Sequence, residues 1–255
     1  MNNLLRAEWY KINRNKTFWT LIITMITLST LLHVLIMTDW WFMSGTPFDR
    51  AGLSKLNALS VLIVPLFFNI LVSTLAGFFI ATEFTPHSVM KNQIISGNKR
   101  SHIFIAKYLV FTIGAFIVTI AIPFVAAVGV YVLVGEGDLF TVSNLIYLGR
   151  AYSLFTIHFF SFTGIVFLIA IVTEDSGKTI LYTLILSIVM FAIEKFVTNS
   201  LVKAIYDHTF FYHFNEAFQY TMTSSEIIKS ILIGLISFVV IILFGTFMFQ
   251  RKEIK

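Results

Sequence analysis

Six stretches of the chain, residues 18–37, 59–80, 108–134, 151–172, 179–197 and 227–249, are nearly unbroken runs of Leu, Ile, Phe and Val. A helix rising about 1.5 Å per residue needs roughly 20 such residues to cross a hydrocarbon core about 30 Å thick. The pattern therefore predicts an all-α, polytopic membrane protein with six transmembrane helices. No repeat, low-complexity tract or long linker divides the chain, so residues 1–255 read as a single transmembrane domain. The first apolar run starts late and lacks a small-residue cleavage pattern, which predicts a retained span rather than a cleaved signal.

The stretches between the runs differ in kind. Ahead of the first span, Leu5, Trp9 and Ile12 share a helical face opposite Arg6 and Lys11, the pattern of an amphipathic elbow helix over residues 1–16 that lies in the membrane interface. Trp40 and Trp41 suit interface depth after the first span. Residues 199–225 are too rich in Tyr and Phe to float in water and are expected to fold as short helices on or in the outer leaflet.

Residues 83–101 form a polar interruption long enough to carry a helix of its own. Pro86 suits a first helical position and Gly97 a stop, and Ser101 is placed to cap the next helix. Val89, Met90, Gln93 and Ile94 make one apolar edge, with His87, Lys91 and Asn98 elsewhere around the helix. Such a ridge suits docking into a groove of a soluble partner. The plainer alternative is a juxtamembrane helix that binds anionic lipid. Glu83 precedes the helix start, where a carboxylate can cap exposed N–H groups or meet a partner.

Composition agrees with the pattern: 57% of residues are hydrophobic and 12% charged, far from soluble usage, and the mean hydropathy is +0.86. There is no cysteine, which excludes disulfides and thiolate metal sites. The net charge of +5 does not point to nucleic acid, because the basic residues cluster beside the apolar runs. Twelve of the 18 Lys and Arg fall on the side of the two chain ends; the other six are Arg50, Lys55, Arg150, Lys195, Lys203 and Lys229. The positive-inside rule then puts both termini and residues 83–107 in the cytoplasm.

Other candidate chemistry is sparse. Gly177-Lys178-Thr179 imitates the end of a phosphate loop, but Val172 stands where the first glycine belongs and no strand precedes it. The chain is therefore expected to be no enzyme and to carry no cofactor. His208 and His213 lack metal-ligand spacing. His33, Asn69, His158 and Glu194 are the polar candidates for a substrate path through the spans. For the two histidines a hydrogen bond to a backbone carbonyl between helices is the simpler role, and for Glu194 and Lys195 an interface anchor.

The layout resembles the ABC-2-type permeases, membrane subunits of ATP-binding-cassette exporters, and most of all the small permeases of bacitracin, lantibiotic-immunity and phenol-soluble modulin exporters. The residues that carry the likeness are Glu83, Lys91-Asn92, Gly97, Arg100 and Lys107 in the polar stretch, with Pro86-His87-Ser88 where that family often has Gly-Thr. The resemblance implies a coupling helix that seats in an ATPase subunit through Glu83, Phe84, His87, Val89, Met90, Lys91, Gln93, Ile94 and Arg100. It implies a cytoplasmic ATPase partner that binds ATP and Mg, a second permease chain, identical or related, and a bacterial plasma membrane. The cargo it implies is an amphipathic or hydrophobic peptide exported for secretion or self-immunity. The rival readings are a peptide-binding immunity or sensor subunit and an ion-coupled secondary transporter, though Pro65 and Pro123 break two spans without the inverted repeat the latter usually shows.

Overall fold

The computed structural model describes residues 1–84, 89–134 and 141–253. It is 83% helical and has no strand among the described residues, so the fold class is all-α. The helices are α1 (Asn2–Arg14), α2 (Lys16–Met37), α3 (Pro47–Arg50), α4 (Leu59–Leu62), α5 (Pro65–Phe79), α6 (Val89–Ile95), α7 (Arg100–Phe116), α8 (Ile122–Val134), α9 (Val142–Thr173), α10 (Ser176–Phe196), α11 (Ser200–Tyr206), α12 (Phe210–Glu216) and α13 (Ser224–Arg251). Among the described residues, six helical segments are long and apolar enough to cross a membrane: α2, Pro65–Phe84, Arg100–Leu133, α9, α10 and α13.

Two prolines explain where spans 2 and 3 depart from expectation. Span 2 does not run from residue 59: Val64 is extended (φ −69°, ψ 130°) because Pro65 excludes the α conformation from its predecessor, and Pro65 opens α5 where its missing N–H costs nothing. Leu59–Leu62 becomes a separate turn. Span 3 starts at Arg100, earlier than expected, and continues through a π turn at Ile117–Ala121. Pro123 lies just beyond that turn; its ring cannot sit against the carbonyl four residues back, and the wider turn relieves the clash. Span 4 begins at Val142 rather than near residue 151, with Thr141 accepting from the Asn144 N–H as its cap.

Spans 2 and 4 form the centre. Phe68 is fully buried and meets Phe155, Phe159, Phe162 and Phe214 edge-on at centroid distances of 5.0–5.7 Å. Phe214 belongs to α12, so the aromatic segment after span 5 does fold as short helices and inserts among the span ends. Helices approach closely where side chains are small. A Cβ on Gly234 of span 6 would lie 2.5 Å from Ile157 and 3.1 Å from the His158 ring of span 4. α1, Phe84, the start of α7, the α9–α10 turn and the C-terminal end of α13 share one face of the bundle, hereafter the basal face.

Gly234→Leu is accordingly expected to force spans 4 and 6 apart and destabilise the protein by about 1–3 kcal/mol. A thermal midpoint in detergent equal to that of the unaltered protein would show that the close contact is not required.

Candidate functional site

The basal face holds a buried ionic cluster built from four elements. On α1, Leu4, Glu8 and Ile12 recur every four residues and face inward, so a carboxylate sits in an otherwise apolar stripe. Ile12 presses on span 3 at Gly114, where a Cβ would collide with its side chain. That contact seats α1 against α7 and brings Glu8 to Lys107, whose ammonium lies 2.8 Å from Glu8 Oε1. Lys107 also pairs with Glu83 Oε2, and Lys11 lies 2.6 Å from Glu8 Oε1 and 2.5 Å from Glu83 Oε1. Glu8 and Lys107 are each 1% exposed. Two carboxylates and two ammonium groups make the cluster formally neutral.

The fifth member ties in α6. Gln93 donates from Nε2 to Glu8 Oε1 at 2.7 Å, and its own backbone carbonyl accepts from Asn98 Nδ2 at 3.0 Å beyond the helix end. α6 stops as expected, with Gly97 at φ +80°, a left-handed conformation that suits glycine. Burial works to raise the Glu8 carboxyl, but the charges of Lys107 and Lys11 and their hydrogen bonds outweigh it and hold it below the ordinary carboxylate value. Burial likewise opposes the Lys11 charge, and Glu83 and Glu8 overcome it, so Lys11 lies above the ordinary lysine value.

The expected coupling residues are distributed differently from the amphipathic reading. Met90 is fully buried, Ile94 packs against the core and Gln93 is bonded to Glu8, so this edge faces the protein's own interior rather than a partner. The outward face of α6 carries Val89, Lys91, Asn92 and Ile95, with Ile95 72% exposed. Both edges of this helix are apolar, and periodicity alone does not say which one turns inward.

Glu83 is held by Lys11 and Lys107, and Phe84 is half-buried with the Lys252 ammonium 5.4 Å from its ring centroid. Arg100 donates to the carbonyls of Gln250 (3.0 Å) and Lys252 (2.5 Å), closing the C-terminal end of α13 rather than reaching outward. Pro86 and His87 lie outside the described residues. Ser101 is inside α7, whose cap position is Lys99. On α1 the inward stripe is Leu4, Glu8 and Ile12; Leu5 and Trp9 lie to its side, with Trp9 41% exposed.

The intramembrane candidates are packing contacts. His33 bonds the Ser29 carbonyl of its own helix at 2.7 Å, and the Ser29 hydroxyl donates to the Pro123 carbonyl, joining spans 1 and 3. Asn69 donates to the Thr183 carbonyl and the Ser187 hydroxyl, clamping span 2 to span 5. His158 does not bond a carbonyl; its Nε2 meets Ser230 Oγ at 2.9 Å and its ring stacks on His213 of α12 at 5.0 Å. Glu194 contacts Lys195, the Tyr206 hydroxyl and Asn215, fixing the end of span 5 to α11 and α12. The Gly177-Lys178-Thr179 stretch opens α10: Asp175 accepts from the Lys178 N–H and the Thr179 hydroxyl donates to the Asp175 carbonyl, so this backbone N–H and this hydroxyl are engaged at a helix start.

Six apolar spans and a polar helix locked onto the basal face coincide with a match to a family model described as ABC-2 family transporter protein, over residues 4–193. The chain belongs to that family. No curated protein and no solved structure matches it. The matched region of this ABC-2 transporter protein takes in all five members of the cluster: Glu8, Lys11, Glu83, Gln93 and Lys107. It is therefore an integral membrane protein and a transporter's permease subunit. Among the cluster members, Glu8, Lys11 and Lys107 were not site candidates from the sequence, Lys107 entering only through the family likeness. The signal was a single carboxylate in register with Leu4 and Ile12.

The cluster's neutrality generates a prediction. Glu8→Gln leaves the buried Lys107 ammonium and the half-buried Lys11 ammonium facing one carboxylate, and breaking a buried pair costs on the order of 3–5 kcal/mol. Adding Lys107→Met restores neutrality and is expected to recover much of the loss in thermal midpoint. A double variant less stable than Glu8→Gln alone would contradict the account.

Proposed function

We propose that the chain is the membrane subunit of an ATP-driven exporter in which α6 is the coupling helix. The basal face, with both chain ends, lies in the cytoplasm in this reading, supported by the excess of Lys and Arg on that side. The observation that carries it is the two-sided character of α6: one edge is bonded through Gln93 and packed through Met90 into the bundle, and the other offers Val89, Asn92 and Ile95 to solvent. A helix fixed on one side and apolar on the other can pass a push from a soluble partner into the spans without bending away.

The partner is an ATPase subunit that binds ATP and Mg, and a second permease chain completes the translocation unit. Closure of the ATPase pair would displace α6, and the ionic cluster would carry that displacement to α1 and to span 3 together. The cargo is an amphipathic or hydrophobic peptide, a reading that rests on the likeness to small peptide-exporter permeases. The chain forms one membrane domain, and its contribution to secretion or self-immunity follows from the cargo.

Val89→Asp combined with Ile95→Asp is expected to abolish ATPase co-purification and peptide export while leaving the thermal midpoint within about 1 kcal/mol equivalent, because exposed positions tolerate substitution. Lys91→Ala is expected to cost about 0–1 kcal/mol of assembly. An ATPase that remains bound to the double variant at equal expression would refute the docking face.

A further inference from the structure

Helix α1 carries three stripes spaced by four residues besides that of Asn3, Ala7 and Lys11. Leu4, Glu8 and Ile12 face the bundle. Leu5, Trp9 and Asn13 lie beside span 3, and Arg6, Tyr10 and Arg14 form the next stripe outward. A groove of about 460 Å³ runs between the helix and span 3, lined by Leu5, Arg6, Trp9, Tyr10, Val110 and Ile113 together with Asn13. Its floor is apolar, and Arg6 is the basic residue of its lining.

The charge of Arg6 is uncompensated. Glu8 is the helix's sole carboxylate, and its charge is consumed by Lys107 and Lys11. Arg6 is exposed and has no ion-pair partner among the described residues, and Arg14 lies over the Tyr10 ring at 4.7 Å, which leaves its N–H edge available. Trp9, Tyr10 and Trp19 supply the amphipathic rings typical of headgroup depth, with the Trp19 indole donating to the Asn13 carbonyl at 2.7 Å.

We infer that this groove holds one anionic phospholipid, its acyl chain along Leu5, Val110 and Ile113 and its phosphate at Arg6. A zwitterionic lipid would satisfy the floor but bring its own cation to Arg6. A second copy of the chain would bury Trp9 and Tyr10 but leave Arg6 without a counter-charge. Occupancy at this place braces α1 from the membrane side, opposite the cluster formed by Glu8 and Lys11. The assignment does not depend on the coupling role of α6.

The test is native mass spectrometry of the full chain, released from mixed phosphatidylglycerol and phosphatidylcholine bilayers and stripped by graded detergent washing. The unaltered protein is expected to retain one phosphatidylglycerol. Arg6→Glu is expected to reduce retention by about tenfold or more. Ile113→Trp fills the groove without changing charge and is expected to do the same, so a folding defect in one variant does not leave the question open. Arg251→Glu removes a comparable basic residue, stacked 4.1 Å from Phe247 at the same face but outside the groove, and is expected to retain the lipid. Equal retention of phosphatidylcholine, unchanged retention in either groove variant, an equal loss in Arg251→Glu, or a dimer in place of the lipid adduct would overturn the assignment.

Discussion

An ammonium group with almost no contact with water must find negative charge, and Lys107 stands at the entry to an apolar span in that position. Removing one ion from water costs several kcal/mol even after relaxation, and only close, well-bonded partners repay it. Lys107 meets that condition with Glu83 from the end of span 2 and Glu8 from the elbow helix, and Lys11 balances the second carboxylate. Because the partners come from separate elements, the electrostatic requirement is also a mechanical one. Span 2, span 3 and α1 meet at one point, and moving any of them alone would take a charge out of the buried cluster, while α6 joins through the neutral Gln93 amide.

That constraint gives the basal face its stiffness, and the aromatic centre gives the other end its own. Phe68, Phe155, Phe162 and Phe214 pack edge to face, and the segment before span 6 is drawn into them. Between these ends, the π turn before Pro123 and the close approach at Gly234 mark where spans are shaped by single residues. Polar side chains within the spans serve this packing: Asn69 and Ser29 spend their donors on neighbouring helices. A displacement applied at α6 therefore enters a bundle whose helices are tied at both ends.

The six spans were legible because a run of about 20 apolar residues, in a chain this poor in charge, is long enough to cross the hydrocarbon core as a helix and too apolar to be solvated by water. The helical character of Asn2–Arg14, the short helices within residues 199–225 and the stop at Gly97 were legible for the same local reasons. What local pattern did not contain is which side of a short helix turns inward. Met90 and Ile94 on one edge of α6 and Val89 and Ile95 on the other are equally apolar; the choice is made by Gln93 reaching Glu8, 85 positions away. Lys107 and Glu8 are 99 positions apart, and Arg100 finds its carbonyls about 150 positions away. Pairings of that range depend on how spans pack, and no spacing rule within one helix encodes them. Span starts moved for a nearer reason, since Pro65 and Thr141 set helix beginnings that hydropathy alone blurs.

The central claim is that Glu8 holds α1 and α6 as one body. Ala7 and Asn92 are exposed on those helices, and the absence of native cysteine lets both be changed to Cys and spin-labelled without background. Pulsed electron spin resonance on the protein in lipid nanodiscs should return one narrow distance distribution, which broadens and shifts to longer distances when Glu8→Gln is added. An unchanged narrow distribution in the Glu8→Gln background would contradict the account, because it would mean that α1 and α6 keep their spacing without the buried charge.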